Sequence, residues 1–197
     1  MKKKYILWSV IGVLALLIFQ PFRLNNAPSL EEGVKGAWGQ VENVYQRRSD
    51  LVPNLVETVK AYAGHENTTL REVIEARAKA TQMTLPKDAL SNPQVIQQFQ
   101  ANQDALTSAL SRLMVVVEKY PDLKANQNFM ELQSQLEGTE NRIAVERKKY
   151  VYWVQQYNTE VRTWPGMIYA KLIWGLRPIE QFTADAGANK APKVSFK

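Results

Sequence analysis

The chain has 197 residues, 45% of them hydrophobic and 22% charged, which suits one folded domain with accessory segments and excludes a disordered polymer. Its formal charge of +6 comes from 25 basic and 19 acidic residues, and Lys2, Lys3 and Lys4 supply half of that excess, so the remainder is too balanced to argue for a nucleic-acid partner. The absence of cysteine removes disulfides, thiol nucleophiles and iron–sulfur ligation, and the one histidine, His65, cannot build a multi-histidine metal centre.

The first segment, residues 1–22, sets three lysines before an uncharged run from Tyr5 to Phe22, close to the ~20 residues that a helix needs to cross hydrocarbon. A cleaved signal peptide opens the same way, so the exit decides. Ala27 is the one small residue at a candidate cut, it is followed by Pro28, and it lacks a small partner two positions earlier. A retained transmembrane anchor is therefore expected. The lysines ahead of the run, against Arg23 alone close behind it, put the amino end in the cytosol and the following domain outside.

After a linker over 23–29, a helical bundle is expected over 30–180, with a loosely held basic tail over 181–197. Ser29 with Glu32 reads as a capping box opening the first predicted helix, whose stripe of Val41, Val44, Tyr45, Val52, Leu55, Val56, Val59 and Tyr62 ends at Gly64, a natural left-handed stop. Pro53 either kinks this helix or divides it, and the unbroken apolar phase favours a kink. The second helix, about Glu66 to Ala80, would bury Leu70, Val73 and Ile74. The third starts with Asn92 as cap and Pro93 in its first turn, carries Phe99, Leu106, Leu110, Leu113, Val117 and Tyr120, and stops at Pro121. The fourth opens at Asn128 with Glu131. It shows a four, three, four, three spacing through Leu136, Glu140, Ile143, Arg147, Tyr150, Val154, Tyr157, Val161 and Trp164, and ends at Pro165. With no strand-type alternation, the expected fold is all-α: a transmembrane helix followed by an elongated antiparallel four-helix bundle.

Five charges fall where apolar residues belong: Arg48, Glu66, Arg77, Glu140 and Arg147. An unpaired buried charge costs several kcal/mol, so these groups should meet one another or a bound anion. Three readings stay open. A charge network fixes helix register; an arginine-lined pocket captures an anionic metabolite or carboxylate; or Glu66 and Glu140 form an acid–base pair, although no nucleophile, metal cluster or phosphate loop accompanies them. His65 at the helix junction reads as a cap or surface residue. The segment from Trp164 to Trp174, returning to the end of the bundle that faces the anchor, either plugs that end or touches lipid headgroups.

The stretches "AWGQVENVYQRRSDLVPNLVETVKAYAGHE", "EARAKA", "LEGTENRIAVERKKY", "YNTEVRTWP" and "APKVSF" together resemble the LemA family of bacterial membrane proteins, from about Leu30 onward. The resemblance implies an amino-terminal membrane segment and an antiparallel helical bundle. Its signature falls on Trp38, Arg47, Arg48, Asp50, Leu51, Pro53, Asn54, Leu55, Glu66, Ala76, Arg77, Glu140, Arg147, Tyr150, Tyr157, Asn158 and Pro165. The chain departs from the family pattern at Val151, where asparagine is usual, and at Trp164, where phenylalanine is common. The resemblance transfers no catalytic residue and no cofactor. A non-catalytic interaction or scaffold protein of the cell envelope is expected, with the bilayer and unidentified proteins as partners and self-association left open; a ligand-sensing module is the alternative, and an envelope hydrolase the third.

Overall fold

A computed structural model describes residues 4–5, 8–12, 25–82 and 90–182. Among the described residues, six α-helices follow residue 25: α1 Asn26–Tyr62, α2 Asn67–Gln82, α3 Pro93–Val117, α4 Pro121–Lys124, α5 Gln127–Arg162 and α6 Gly166–Leu172. The described residues contain no strand, so the all-α class holds. Among them no helix is long and apolar enough to cross a membrane, and most of the uncharged run from Tyr5 to Phe22 lies outside the described residues.

The two long helices α1 and α5 are antiparallel. The Tyr62 hydroxyl accepts from Asn126 at one end, Arg48 meets Glu140 midway, and Trp38 packs edge-on against Tyr150 towards the other. Asn26 marks the near end of the bundle and Ala63 the far end. From the far end α2 runs back beside α1 as far as the middle, and α3 returns antiparallel to α2, with Arg112 bridging to Glu72 and Gln103 reaching Ala80.

Because the described part of α2 reaches only halfway, the near half of the bundle has three long helices at most among the described residues. An extended strap after α6 packs beside them. Leu176, Ile179 and Phe182 of the strap join Trp38, Phe99, Tyr150, Val154 and Tyr157 in a near-end core, while Leu55, Val59, Val73, Leu106, Leu113 and Phe129 build a separate far-end core. The packed chain thus continues to Phe182, two residues past the boundary expected for the bundle. The rest of the expected tail lies outside the described residues.

Several element ends differ from the sequence reading. α1 begins at Asn26, so Ser29 is no cap; Pro28 falls in the first turn, where its missing N–H leaves no bond unmade. The same helix runs through Pro53 unbroken to Tyr62, and Gly64 does not take up left-handed backbone, which among the described glycines occurs at Gly175. Tyr62 at the last position of α1 and Ile74, one step off the Leu70–Val73–Ala76–Ala80 face, are exposed rather than buried. Asn92 does cap α3, accepting from the Gln94 amide at 3.1 Å, but that helix ends at Val117 and Pro121 opens α4 instead of stopping α3. The cap of α5 is Asn126, bonded to the Phe129 amide at 3.0 Å, two residues before the expected Asn128. The apolar residues of the α5 seam are buried as far as Val161, whereas Trp164 is 77% exposed beyond the helix end.

Candidate functional site

Between the two cores lies a polar layer to which α1, α3 and α5 contribute at one level. On α1 it interrupts the apolar stripe between Tyr45 and Val52, on α3 between Phe99 and Leu106, and on α5 between Leu136 and Ile143. Its centre is Arg48, 1% exposed. One terminal nitrogen donates to the Glu140 carboxylate at 2.8 Å and to the Thr107 hydroxyl at 2.7 Å. The other donates to the side-chain oxygen of Gln103 at 2.6 Å and to its main-chain carbonyl at 3.2 Å. The Tyr45 ring lies 5.1 Å from the guanidinium carbon, and Nε is buried with no partner.

Gln103 passes the connection on. Its amide nitrogen donates to the Ala80 carbonyl, in the last described turn of α2, at 3.2 Å. One buried guanidinium therefore ties α1 to α5 directly and to α2 through α3. Glu140 keeps 40% of its side chain exposed, and its outer face borders a groove of about 540 Å³ between α3 and α5, lined also by Leu110, Met114, Gln133 and Leu136. The pair is thus half sheltered: the cation is dry and the anion is wet on one side.

Pro53 and Arg77 form a second unit. Proline has no N–H to give the carbonyl four residues back, which leaves the Ser49 carbonyl without its helical partner in a place where Ser49 is 2% exposed. Arg77 of α2 fills the gap, donating from Nε to that carbonyl at 2.8 Å. A mid-helix proline and an inward arginine on the neighbouring helix are two halves of one device.

Of the five inward charges, the structure brings together Arg48 and Glu140. Arg77 serves a backbone carbonyl, and the Arg147 guanidinium lies 4.7 Å from the Phe182 ring centroid. Glu66 sits past the far end of α1, accepting from the Tyr120 hydroxyl at 3.3 Å. Roughly 20 Å of helix, at 1.5 Å per residue from Arg48 to the end of α1, separates it from the level of Glu140. The two carboxylates therefore share no site, and the acid–base pairing is excluded by geometry. Arg47, Asp50 and Asn54 lie on the outer face of α1, where the Gln46 amide donates to Asp50 at 2.8 Å.

Trp38, Tyr150, Tyr157 and Asn158 grip the strap. Asn158 makes a two-pronged bond to Ile179, donating to its carbonyl at 2.8 Å and accepting from its amide at 2.9 Å. Tyr157 donates to the Arg177 carbonyl at 2.8 Å, and Tyr150 to the Glu180 carbonyl at 3.2 Å. Phe182 stacks on Trp38 at 5.8 Å. Burial pushes the Tyr157 hydroxyl up to about 12, with a smaller push from Glu31, and burial raises Tyr150 as well. Pro165, half-buried, precedes α6.

Sequence reasoning missed Gln103 and Thr107 as partners of Arg48, and missed the strap. The signal for Gln103 was a gap: the stripe of α3 steps seven residues from Phe99 to Leu106 with a polar residue at the intermediate position. For the strap it was the apolar triple Leu176, Ile179 and Phe182.

The family model described as "LemA family" matches residues 37–196. The chain is 25% identical over 190 residues to "Magnetosome protein MamQ 2" of Paramagnetospirillum magneticum, covering 88% of this chain and 70% of that protein. It is 23% identical over 190 residues to "Magnetosome protein MamQ" of Magnetospirillum gryphiswaldense, with the same coverage. "Protein LemA" of Metamycoplasma hominis is 20% identical over 169 residues, 85% of this chain and 73% of that one.

Proposed function

We propose that this chain, which belongs to the LemA family, is a membrane-anchored, non-catalytic helical bundle of the bacterial cell envelope that acts as a protein-interaction or scaffold module. In this reading the uncharged run from Tyr5 to Phe22 crosses the inner membrane, the three lysines hold the amino end in the cytosol, and the bundle stands outside.

The observation that carries the non-catalytic reading is the state of Arg48. Both of its terminal nitrogens are bonded within the protein, to Glu140, Thr107 and Gln103. A guanidinium so occupied holds helices together, and capture of an anion would first require those bonds to break. The candidate charges thus work on the fold, and recognition falls to the outer surface, where Arg47, Asp50 and Asn54 of the family signature lie together. Kinship with proteins named for the magnetosome supports a role at a cellular structure.

Crosslinking in intact membranes, followed by identification of what is captured, tests the scaffold reading. Reproducible protein partners are expected, and their loss on reversing charge at Arg47 and Asp50 would assign the surface. Retention of the same partners by Arg47→Glu/Asp50→Lys would remove this face from the proposal. For topology, a protease added outside spheroplasts should digest the bundle; protection of the bundle while an external marker is cut would overturn the orientation.

A further inference from the structure

The near end of the bundle is built inside out. α6 turns its smallest residues, Gly166 and Ala170, into the protein and presents Met167, Ile168 and Leu172 to the outside. A helix in contact with water alone shows the reverse arrangement. Ile173 and Trp174 extend the same surface, and Trp164 stands beside it; Trp164 and Leu172 are each 77% exposed. The bundle does not need these side chains as a plug, because its near-end core closes on Ala27, Val161 and Ala170.

We propose that this apolar lip inserts into the interfacial layer of the lipid bilayer, giving the bundle a second foothold beside its anchor. The inference rests on the reading that the run from Tyr5 to Phe22 crosses the membrane.

Three observations select lipid as the occupant. First, Arg23 and Leu24 alone separate that run from Asn25, where the described bundle begins. At ~3.3–3.6 Å per extended residue, this tether holds the near end within about 10 Å of the point where the run emerges. Second, the chemistry is that of a boundary. Trp164 and Trp174 flank the aliphatic residues, and tryptophan suits the headgroup level because its ring is apolar and its N–H polar. Third, the charges complement an anionic surface: from Val161 to Ile179 the sequence holds Arg162, Lys171 and Arg177 and no acidic residue, and all three cations are exposed. The strap then has a mechanical meaning. Asn158, Tyr157 and Tyr150 fix the chain leaving the lip, so a force on the lip reaches α5 without slack.

The chain has no native cysteine, so the full-length protein can carry one nitroxide at a time. Labels on Leu172→Cys, His65→Cys at the far end and Leu14→Cys in the anchor run are compared after reconstitution into phosphatidylcholine–phosphatidylglycerol vesicles. Collision with oxygen reports lipid, and collision with a water-soluble nickel chelate reports water. At position 172 the nickel signal should be several-fold lower than at 65 and the oxygen signal higher; Trp164→Cys should behave as 172 does. If 172 and 164 match 65 while 14 is lipid-like, docking is refuted and the anchor stands. If 14 also reads as water, the anchor reading fails and takes the inference with it. Spin–spin broadening at 172 that disappears on dilution with unlabelled protein would assign the lip to a second copy and overturn the lipid contact.

Discussion

Arg48 and Glu140 meet at 2.8 Å across the bundle, one side chain 1% exposed and the other 40%. The two partners of this ion pair are therefore unequal. Removing the carboxylate strands a buried cation, whereas removing the cation leaves an anion that can hydrate through the groove beside α3. Glu140→Ala is expected to lower unfolding stability by about 3 kcal/mol, and Arg48→Met, which spares that anion but leaves the buried Gln103 oxygens without their donor, by a comparable amount. Urea unfolding of both single variants and the double variant measures this. Equal losses under about 1 kcal/mol would mean that the pair behaves as a surface bridge and that the layer is wet.

The grip of Asn158 on Ile179 needs one donor and one acceptor in a fixed order. Asn158→Asp keeps the acceptor but turns a carboxylate oxygen towards the Ile179 carbonyl, so it should free the strap more than Asn158→Ala does. Each lost hydrogen bond is worth about 1 kcal/mol, and the repulsion adds to it. Hydrogen exchange at the Ile179 amide should accelerate on the order of tenfold or more, with the far-end core of Leu106 and Leu113 unchanged. Loss of protection at both ends would show that the two cores unfold as one unit.

Tyr157 and Tyr150 give the strap a pH dependence whose sign is fixed by their shifts. Both hydroxyls donate to carbonyls, so both must stay protonated, and burial raises both, Tyr157 to about 12 from an ordinary 10. The folded state holds these protons more tightly than the unfolded state. The corresponding stability is complete below about pH 10 and is lost as pH rises from there through about 12. Tyr157→Phe gives up its hydrogen bond at every pH but should show a shallower fall across that window. Chemical denaturation at a series of pH values, with phenolate absorbance followed in parallel, checks the slope; an unchanged slope in the variant would assign the alkaline loss to other groups.

What the sequence made legible follows period. The buried positions of α3 and α5 came through because their apolar residues recur every three or four places, and Arg48 stood out because it breaks such a row. Helix ends were less legible, since Asn126 and Asn128 offer similar caps, and it is the burial of Phe129 that selects the first. The pairing of five charges was beyond the sequence. Phase says that a residue points inward, but not at what height its partner stands, and Glu66 proved to be about four turns beyond the layer that holds Glu140. The strap was hidden for a different reason: its bonds run from side chains of α5 to main-chain groups of Arg177, Ile179 and Glu180, and main-chain acceptors leave no mark in residue type.

The bond from Arg77 to the Ser49 carbonyl yields a prediction whose sign separates it from ordinary loss of contact. Arg77→Met leaves that carbonyl buried and unpaired, because Pro53 cannot supply an N–H, and should cost about 1–3 kcal/mol. Pro53→Ala alone restores the helical donor, which then competes with Arg77 for one carbonyl; the gain in helix propensity is offset by displacement of the arginine. Combined, the two changes should rescue one another: the Pro53→Ala/Arg77→Met variant is expected to be more stable than Arg77→Met alone, since the Ser49 carbonyl again has a partner. If the losses simply add in urea denaturation, the proline and the arginine are independent, and the vacancy left in the α1 ladder is not what holds Arg77 on its inward side.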